Sequence, residues 1–204
     1  MRRGRLGIRF HAPAADVEIG HRNPTIAEAS LRYLTMYIEF LAEVAPTTLT
    51  VHVGSRSIPM EMLSWDVTLE HLRRVAAAGR ERGVTVCLEN LKRGWTSDPH
   101  RLLAMAEAAN SAITLDLGHA HASAFVQNGG PLEAFHAVIK QRVANVHVYE
   151  IETPEGVHIP LEGLARHGPA FDALLAQGQR IWVLELSNPA DLAQTRRALE
   201  PYER

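Results

Sequence analysis

The stretch Val84-Thr85-Val86-Cys87-Leu88-Glu89 decides the fold. It is a β-branched and apolar run of strand length that ends on a carboxylate. Strand side chains alternate faces, so Val84, Val86 and Leu88 share one face while Thr85, Cys87 and Glu89 share the other. Five further runs, residues 6–11, 49–53, 113–117, 144–149 and 181–186, repeat the pattern. Counting back by two groups His11 with Arg9, His52 with Thr50, Asp116 with Thr114, His147 with Asn145, and Glu185 with Val183 and Ile181. The opposite faces carry bulky apolar residues such as Phe10, Val51, Leu115, Val146, Trp182 and Leu184. Every run thus has one apolar face, and another face that ends on a residue able to bind a metal or move a proton.

Helix-period stretches lie between these runs. The first follows Asn23-Pro24 and shows Ile26, Leu31, Leu34, Ile38, Leu41 and Val44 at helical steps. The second opens at Asp66 as its N-cap and turns Leu69, Leu72, Val75 and Ala76 inward. The others open at Asp98-Pro99, Pro131, Pro169 and Asn188-Pro189, since proline suits a first helical turn. Strand and helix alternate six times in 204 residues, about 34 per unit. That alternation implies an α/β fold, a TIM-barrel-like βα repeat of parallel strands with helices outside, as one domain over residues 1–204. In such barrels the site forms at the C-terminal strand ends. His11, His52, Glu89, Asp116, His147 and Glu185 all fall at that rim, where a divalent cation is the natural partner of crowded carboxylates.

Composition narrows the function. Lys+Arg 21 against Asp+Glu 23 leaves a net charge of -2, which gives no footprint for nucleic acid or a membrane surface. A single cysteine, Cys87, excludes an internal disulfide framework and reads as a small buried hydrophobe. No apolar run reaches the roughly 18–20 residues of a membrane span. The apolar stretch after the basic residues 1–5 is too short for a signal-peptide core, so a cytoplasmic location is expected. Eleven histidines are many for this length, and several sit at strand ends. There is no Gly-x-Gly-x-x-Gly, phosphate-loop lysine motif or His-Glu-x-x-His, so no nucleotide cofactor is expected.

Phe10-His11-Ala12, Val51-His52-Val53-Gly54, Leu88-Glu89-Asn90-Leu91, Leu115-Asp116-Leu117-Gly118-His119-Ala120, Asn145-Val146-His147-Val148, His158-Ile159-Pro160-Leu161 and Val183-Leu184-Glu185-Leu186 together resemble the xylose isomerase-like barrel superfamily. That superfamily holds sugar isomerases and epimerases and also the apurinic endonucleases. The resemblance implies one divalent ion (Mn²⁺, Mg²⁺, Co²⁺ or Zn²⁺) on Glu89, Asp116, His147 and Glu185. It implies Glu89 and Glu185 as an acid/base pair that moves a proton beside a metal-bound carbonyl, through an enediolate, and His119 as a substrate contact. His11, His52 and His158 match further endonuclease ligand positions, while His121 and Lys92 are rim residues for a metal or for substrate oxygens.

Two departures bear on the choice among these activities. Gly156 stands where the endonucleases carry a carboxylate two residues before His158, and Glu152-Thr153-Pro154 replaces an arginine that some ketohexose epimerases carry. Six units instead of eight imply a barrel shortened at its N-terminus, with self-association into a homo-oligomer as one way to cover the open edges. The expected activity is a metal-dependent isomerase or epimerase acting on a small sugar-like substrate. The alternatives are a metal phosphodiesterase of the apurinic endonuclease type and a non-catalytic shortened barrel that binds metal or ligand.

Overall fold

A computed structural model describes residues 8–44, 47–54 and 58–202. Residues 1–5 and the first two residues of the run at 6–11 lie outside the described residues. The elements are, in order, β1 (Arg9–His11), α1 (Pro24–Leu41), β2 (Thr47–Val51), α2 (Trp65–Glu81), β3 (Val84–Glu89), α3 (Pro99–Ala109), β4 (Ala112–Asp116), α4 (Leu117–Ala122), α5 (Ala124–Gln127), α6 (Leu132–Ile139), β5 (Val143–Val148), β6 (Ile151–Glu152), β7 (His158–Ile159), α7 (Gly168–Ala176), β8 (Val183–Leu184) and α8 (Pro189–Leu199). Hydrogen bonding orders one six-stranded sheet as β1-β2-β3-β4-β5-β8, with β6 and β7 as a separate pair. The fold is thus the expected TIM-barrel-like βα repeat with six parallel strands. The described residues divide into two compact units, one up to Leu88 with Ala104–Ile113, the other Glu89–Leu103 with Thr114 onward.

In the first unit, β1 pairs parallel to β2 with Arg9 opposite Thr48, and β2 pairs parallel to β3 with Thr50 opposite Cys87. Asn23 caps α1 by accepting from Thr25 N at 3.0 Å, and Pro24 supplies the pre-set first turn. The buried face of α1 runs Ala27, Leu31, Leu34, Ile38, Leu41, alternating steps of four and three. Each fully buried large side chain there contributes about 1.5–3 kcal/mol. Ile26 sits one residue, about 100°, off that stripe, and Val44 lies past the helix end, so both are more than a third exposed. The expected start of α2 also shifts. Ser64, in extended conformation, is the N-cap and accepts from Val67 N, while Asp66 lies inside the first turn, where its charge still suits the helix dipole. Leu72, Val75 and Ala76 are buried as expected, and Leu69 is half-buried.

In the second unit, β4 stops at Asp116 instead of continuing through Leu117. The Asp116 side chain accepts from His119 N at 2.6 Å and starts α4 immediately, so the strand-end carboxylate also terminates the strand. β5 pairs parallel to β8, with His147 opposite Val183. The last strand, Val183–Leu184, is shorter than the run 181–186, and ahead of it Trp182 Nε1 donates to Gln179 O at 3.2 Å. Ile181 is 59% exposed there, so its expected inward placement does not hold. β6 and β7 form an antiparallel pair, with Glu152 opposite His158.

His136, on α6, is buried at 1% exposure, and burial, followed by nearby Lys140, lowers its pKa. A histidine that is neutral when folded contributes stability in full above its unfolded pKa near 6.5. That contribution is lost as pH falls from there through the folded pKa. Urea unfolding of His136→Leu is therefore expected to depend less on pH than the parent between about pH 7 and 5.

Candidate active site and metal centre

Three strand ends and the residue after a fourth strand meet within the second unit. Glu89 ends β3, Asp116 ends β4, His147 lies near the end of β5, and Glu185 follows β8, where its backbone N–H donates to Val148 O. One ligand atom from each of the four lies within 4.8 Å of the others. His147 Nδ1 stands 2.9 Å from Glu89 Oε1, 3.1 Å from Glu185 Oε2 and 3.8 Å from Asp116 Oδ2. Glu89, Asp116 and His147 are buried, and the Glu185 side chain is 30% exposed, so the cluster opens toward solvent through Glu185.

Asp116 is held on three sides. Its N–H donates to Asn90 Oδ1, its carbonyl accepts from Asn90 Nδ2, both at 2.8 Å, and Oδ1 is engaged by the α4 cap. Oδ2 is buried and has no hydrogen-bond partner among the described residues. The Asn145 amide lies 3.1 Å from His147 Nε2 and turns the other ring nitrogen toward the carboxylates. Three carboxylates, one of them with that orphan oxygen, and one imidazole nitrogen form an oxygen- and nitrogen-rich donor set that fits a divalent cation.

The electrostatics reflect crowded negative charge. Burial raises the Asp116 pKa, and Glu89 and Glu185 add to the rise. Burial alone would lower His147, but Asp116, Glu185 and Glu89 outweigh it and push the imidazole up to about 12. Burial would raise Glu185, yet its contact with His147 leaves it below the ordinary carboxylate range. Imidazolium thus serves as the counter-charge of the three carboxylates, a role a divalent ion fills with twice the charge.

A second row of side chains flanks this cluster. His119 Nδ1 lies 3.0 Å from Asn90 O and its Nε2 3.5 Å from Glu152 Oε2. Burial opposes protonation of His119, but Asp116 and Glu152 carry it up to about 9. Lys92 Nζ stands 2.6 Å from Glu152 Oε2 and donates to Thr153 O at 2.6 Å. Against the effect of its own burial, His119 and Lys92 hold Glu152 down at about 2. His158 Nδ1 lies 2.7 Å from Glu185 O, and its ring stacks on Tyr149 at 3.8 Å. Tyr149 is fully buried, and burial together with Asp116 and Glu185 keeps its phenol protonated.

The Tyr149 ring occupies the space over Gly118, where an added Cβ would fall 2.0 Å from a ring carbon. Gly118→Ala is expected to destabilise the chain by about 3 kcal/mol, read as a lower urea midpoint, because the ring it would strike is fully buried and stacked on His158.

His121, His11 and His52 are the remaining sequence candidates. His121 faces Glu150 and His167, where His121 Nδ1 and His167 Nε2 each lie 3.0 Å from Glu150 O. His11 and His52 meet edge to face at 4.8 Å within the first unit. Gly54, two residues after His52, is held by buried Glu18, whose carboxylate accepts from Gly54 N at 2.8 Å and Gly20 N at 3.1 Å. Asn90 and Glu18 carry no signal in strand parity, whereas Tyr149 shares the parity of His147. Glu152 was visible only as the residue standing in for a missing arginine.

A parallel βα repeat with carboxylates and a histidine gathered at its strand ends defines a TIM-barrel-like protein with its candidate site at that rim. The family model described as xylose isomerase-like TIM barrel matches residues 1–202, and the chain belongs to that family. The uncharacterized protein MJ0008 of Methanocaldococcus jannaschii is 29% identical over 195 residues, spanning 96% of this chain and 80% of that one. Among solved structures, a D-tagatose 3-epimerase-like protein superposes with a TM-score of 0.79 at 21% identity, covering 98% of this chain and 78% of its own. The IOLI protein, solved with a bound zinc atom, gives a TM-score of 0.69 at 14% identity, covering 97% and 75%.

Proposed function

We propose that the chain is a divalent-metal-dependent isomerase or epimerase of a small sugar-like carbonyl compound. The observation that carries this reading is the pair Glu89 and Glu185, at 2.9 and 3.1 Å from one imidazole nitrogen in a cluster that also holds an unpartnered Asp116 oxygen. A divalent ion on Glu89, Asp116, His147 and Glu185 would polarise a substrate carbonyl and stabilise the charge that develops as the neighbouring proton leaves. Glu89 and Glu185 are the two groups placed to take that proton and return it. His119, held through both ring nitrogens by Asn90 and Glu152, sets a positive charge beside the cluster, and the Lys92–Glu152 pair supplies a donor and an acceptor for hydroxyl groups. The metal-dependent epimerase assignment draws support from the family and from the sugar epimerases among its structural neighbours. The zinc atom in the IOLI protein supports a divalent ion.

Phosphodiester hydrolysis is the second reading, and one observation favours it. His119, Glu152 and His158 offer ligand atoms within 4.8 Å of one another, so Glu152, across the β6–β7 pair from His158, brings the carboxylate that Gly156 lacks. It ranks second because Lys92 Nζ already stands 2.6 Å from that carboxylate.

The test is incubation of Mn²⁺- or Zn²⁺-loaded protein in D₂O with a ketose panel that includes D-tagatose, followed by NMR, with an abasic-site duplex assayed in parallel. Deuterium at the carbon beside the carbonyl is the expected result. Duplex cleavage without exchange would overturn the isomerase reading.

A further inference from the structure

Outside the candidate active site, three side chains from three elements converge with no part in the proposed proton transfer. His121 is on α4, Glu150 lies in the turn between β5 and β6, and His167 is the N-cap of α7. One ligand atom from each lies within 4.8 Å of the others. His121 Nδ1 and His167 Nε2 both approach the Glu150 carbonyl oxygen at 3.0 Å, and Glu150 Oε2 stands 3.7 Å from His167 Nε2. Two rings meet edge to face, with centroids 5.3 Å apart. Arg166 approaches the other carboxylate oxygen, Oε1, at 3.7 Å and leaves Oε2 on the side of the histidines. The His167 side chain is fully buried and that of Glu150 is 13% exposed, so this set is largely withdrawn from solvent.

We propose that His121, Glu150 and His167 form a second, structural site for a borderline divalent transition-metal ion, Zn²⁺ in the first instance. Ligands about 2.0–2.2 Å from a common ion stand roughly 3.0–3.6 Å from one another. Here Glu150 Oε2 is 3.7 Å from His167 Nε2 and the three ligand atoms lie within 4.8 Å of one another, so small side-chain rotations would bring them onto one ion. Two imidazole nitrogens and a carboxylate oxygen are the donors such ions prefer over Mg²⁺ or Ca²⁺. Without an ion the two imidazoles donate to one carbonyl. With an ion they turn lone pairs inward and the carboxylate completes the set. Such an ion would join α4 and the start of α7 to the turn that leads into the β6–β7 pair. That pair is anchored at Glu150, whose N–H donates to Ile159 O at 2.7 Å, and it carries Glu152 and His158. The site does not depend on the proposed catalytic reaction.

The experiment is zinc equilibrium dialysis with elemental mass spectrometry on the full chain, its His121→Ala and Glu150→Gln variants, and each of these combined with Asp116→Asn. His121→Ala and Glu150→Gln are each expected to lose one equivalent relative to their parent, in the wild-type and Asp116→Asn backgrounds alike. Zinc should raise the unfolding temperature of Asp116→Asn and leave that of Asp116→Asn/His121→Ala unmoved. Unchanged stoichiometry in both His121→Ala and Glu150→Gln would overturn this site. Unchanged stoichiometry in Asp116→Asn would instead overturn the Glu89–Asp116–His147–Glu185 site.

Discussion

Asp116→Asn is expected to weaken divalent-ion binding at the strand-end cluster by at least about 100-fold, near 2.7 kcal/mol, in a metal titration of chelator-stripped protein. The substitution is chosen because it separates the charge from the fold. Asp116 Oδ1 caps α4 through His119 N, and an asparagine oxygen can accept that same hydrogen bond. Oδ2, the orphan oxygen facing His147, is what the variant loses. With one fewer carboxylate beside Glu89 and Glu185, the metal-free protein should unfold at an equal or higher urea concentration than the parent. Loss of affinity with stability retained would identify Asp116 as a ligand. A matching loss of stability would make it a structural cap only.

Glu185→Gln is expected to lower proton exchange at the substrate carbon by about 10²–10⁴-fold, with the ion still bound. Glutamine keeps a carbonyl oxygen for the ion but has no useful basicity. Glu185 is also the most exposed of the four, at 30%, which makes it the group a substrate reaches first. Deuterium incorporation measured against ion occupancy separates the two roles. If exchange and occupancy fell together, Glu185 would be a ligand without a proton-transfer role.

Much of this site was legible because strand side chains repeat every two residues. That parity put Glu89, Asp116, His147 and Glu185 at one rim together with His11 and His52, and the four in the second unit lie within ligand reach of one another. The bounds of β3 follow directly from the run that ends at Glu89. The legibility stopped wherever a side chain overrode the period. Asp116 turns the chain into α4 one residue early, and Ser64 starts α2 two residues before the expected cap, Asp66. The β6–β7 pair has strands of two residues each, too short to show a period, so Glu152 could not be placed beside His119 and Lys92. Gly118 and Tyr149 fit each other across thirty-one residues of chain, a complementarity that local pattern does not contain. The same holds for His167, whose partners His121 and Glu150 lie on other elements.

An anomalous-difference map from crystals grown with Mn²⁺ tests the strand-end metal centre directly. A peak bounded by Glu89, Asp116, His147 and Glu185, about 2.0–2.3 Å from their ligand atoms, is the predicted result. Crystals saturated with the ion that show no peak among those four side chains would contradict the account.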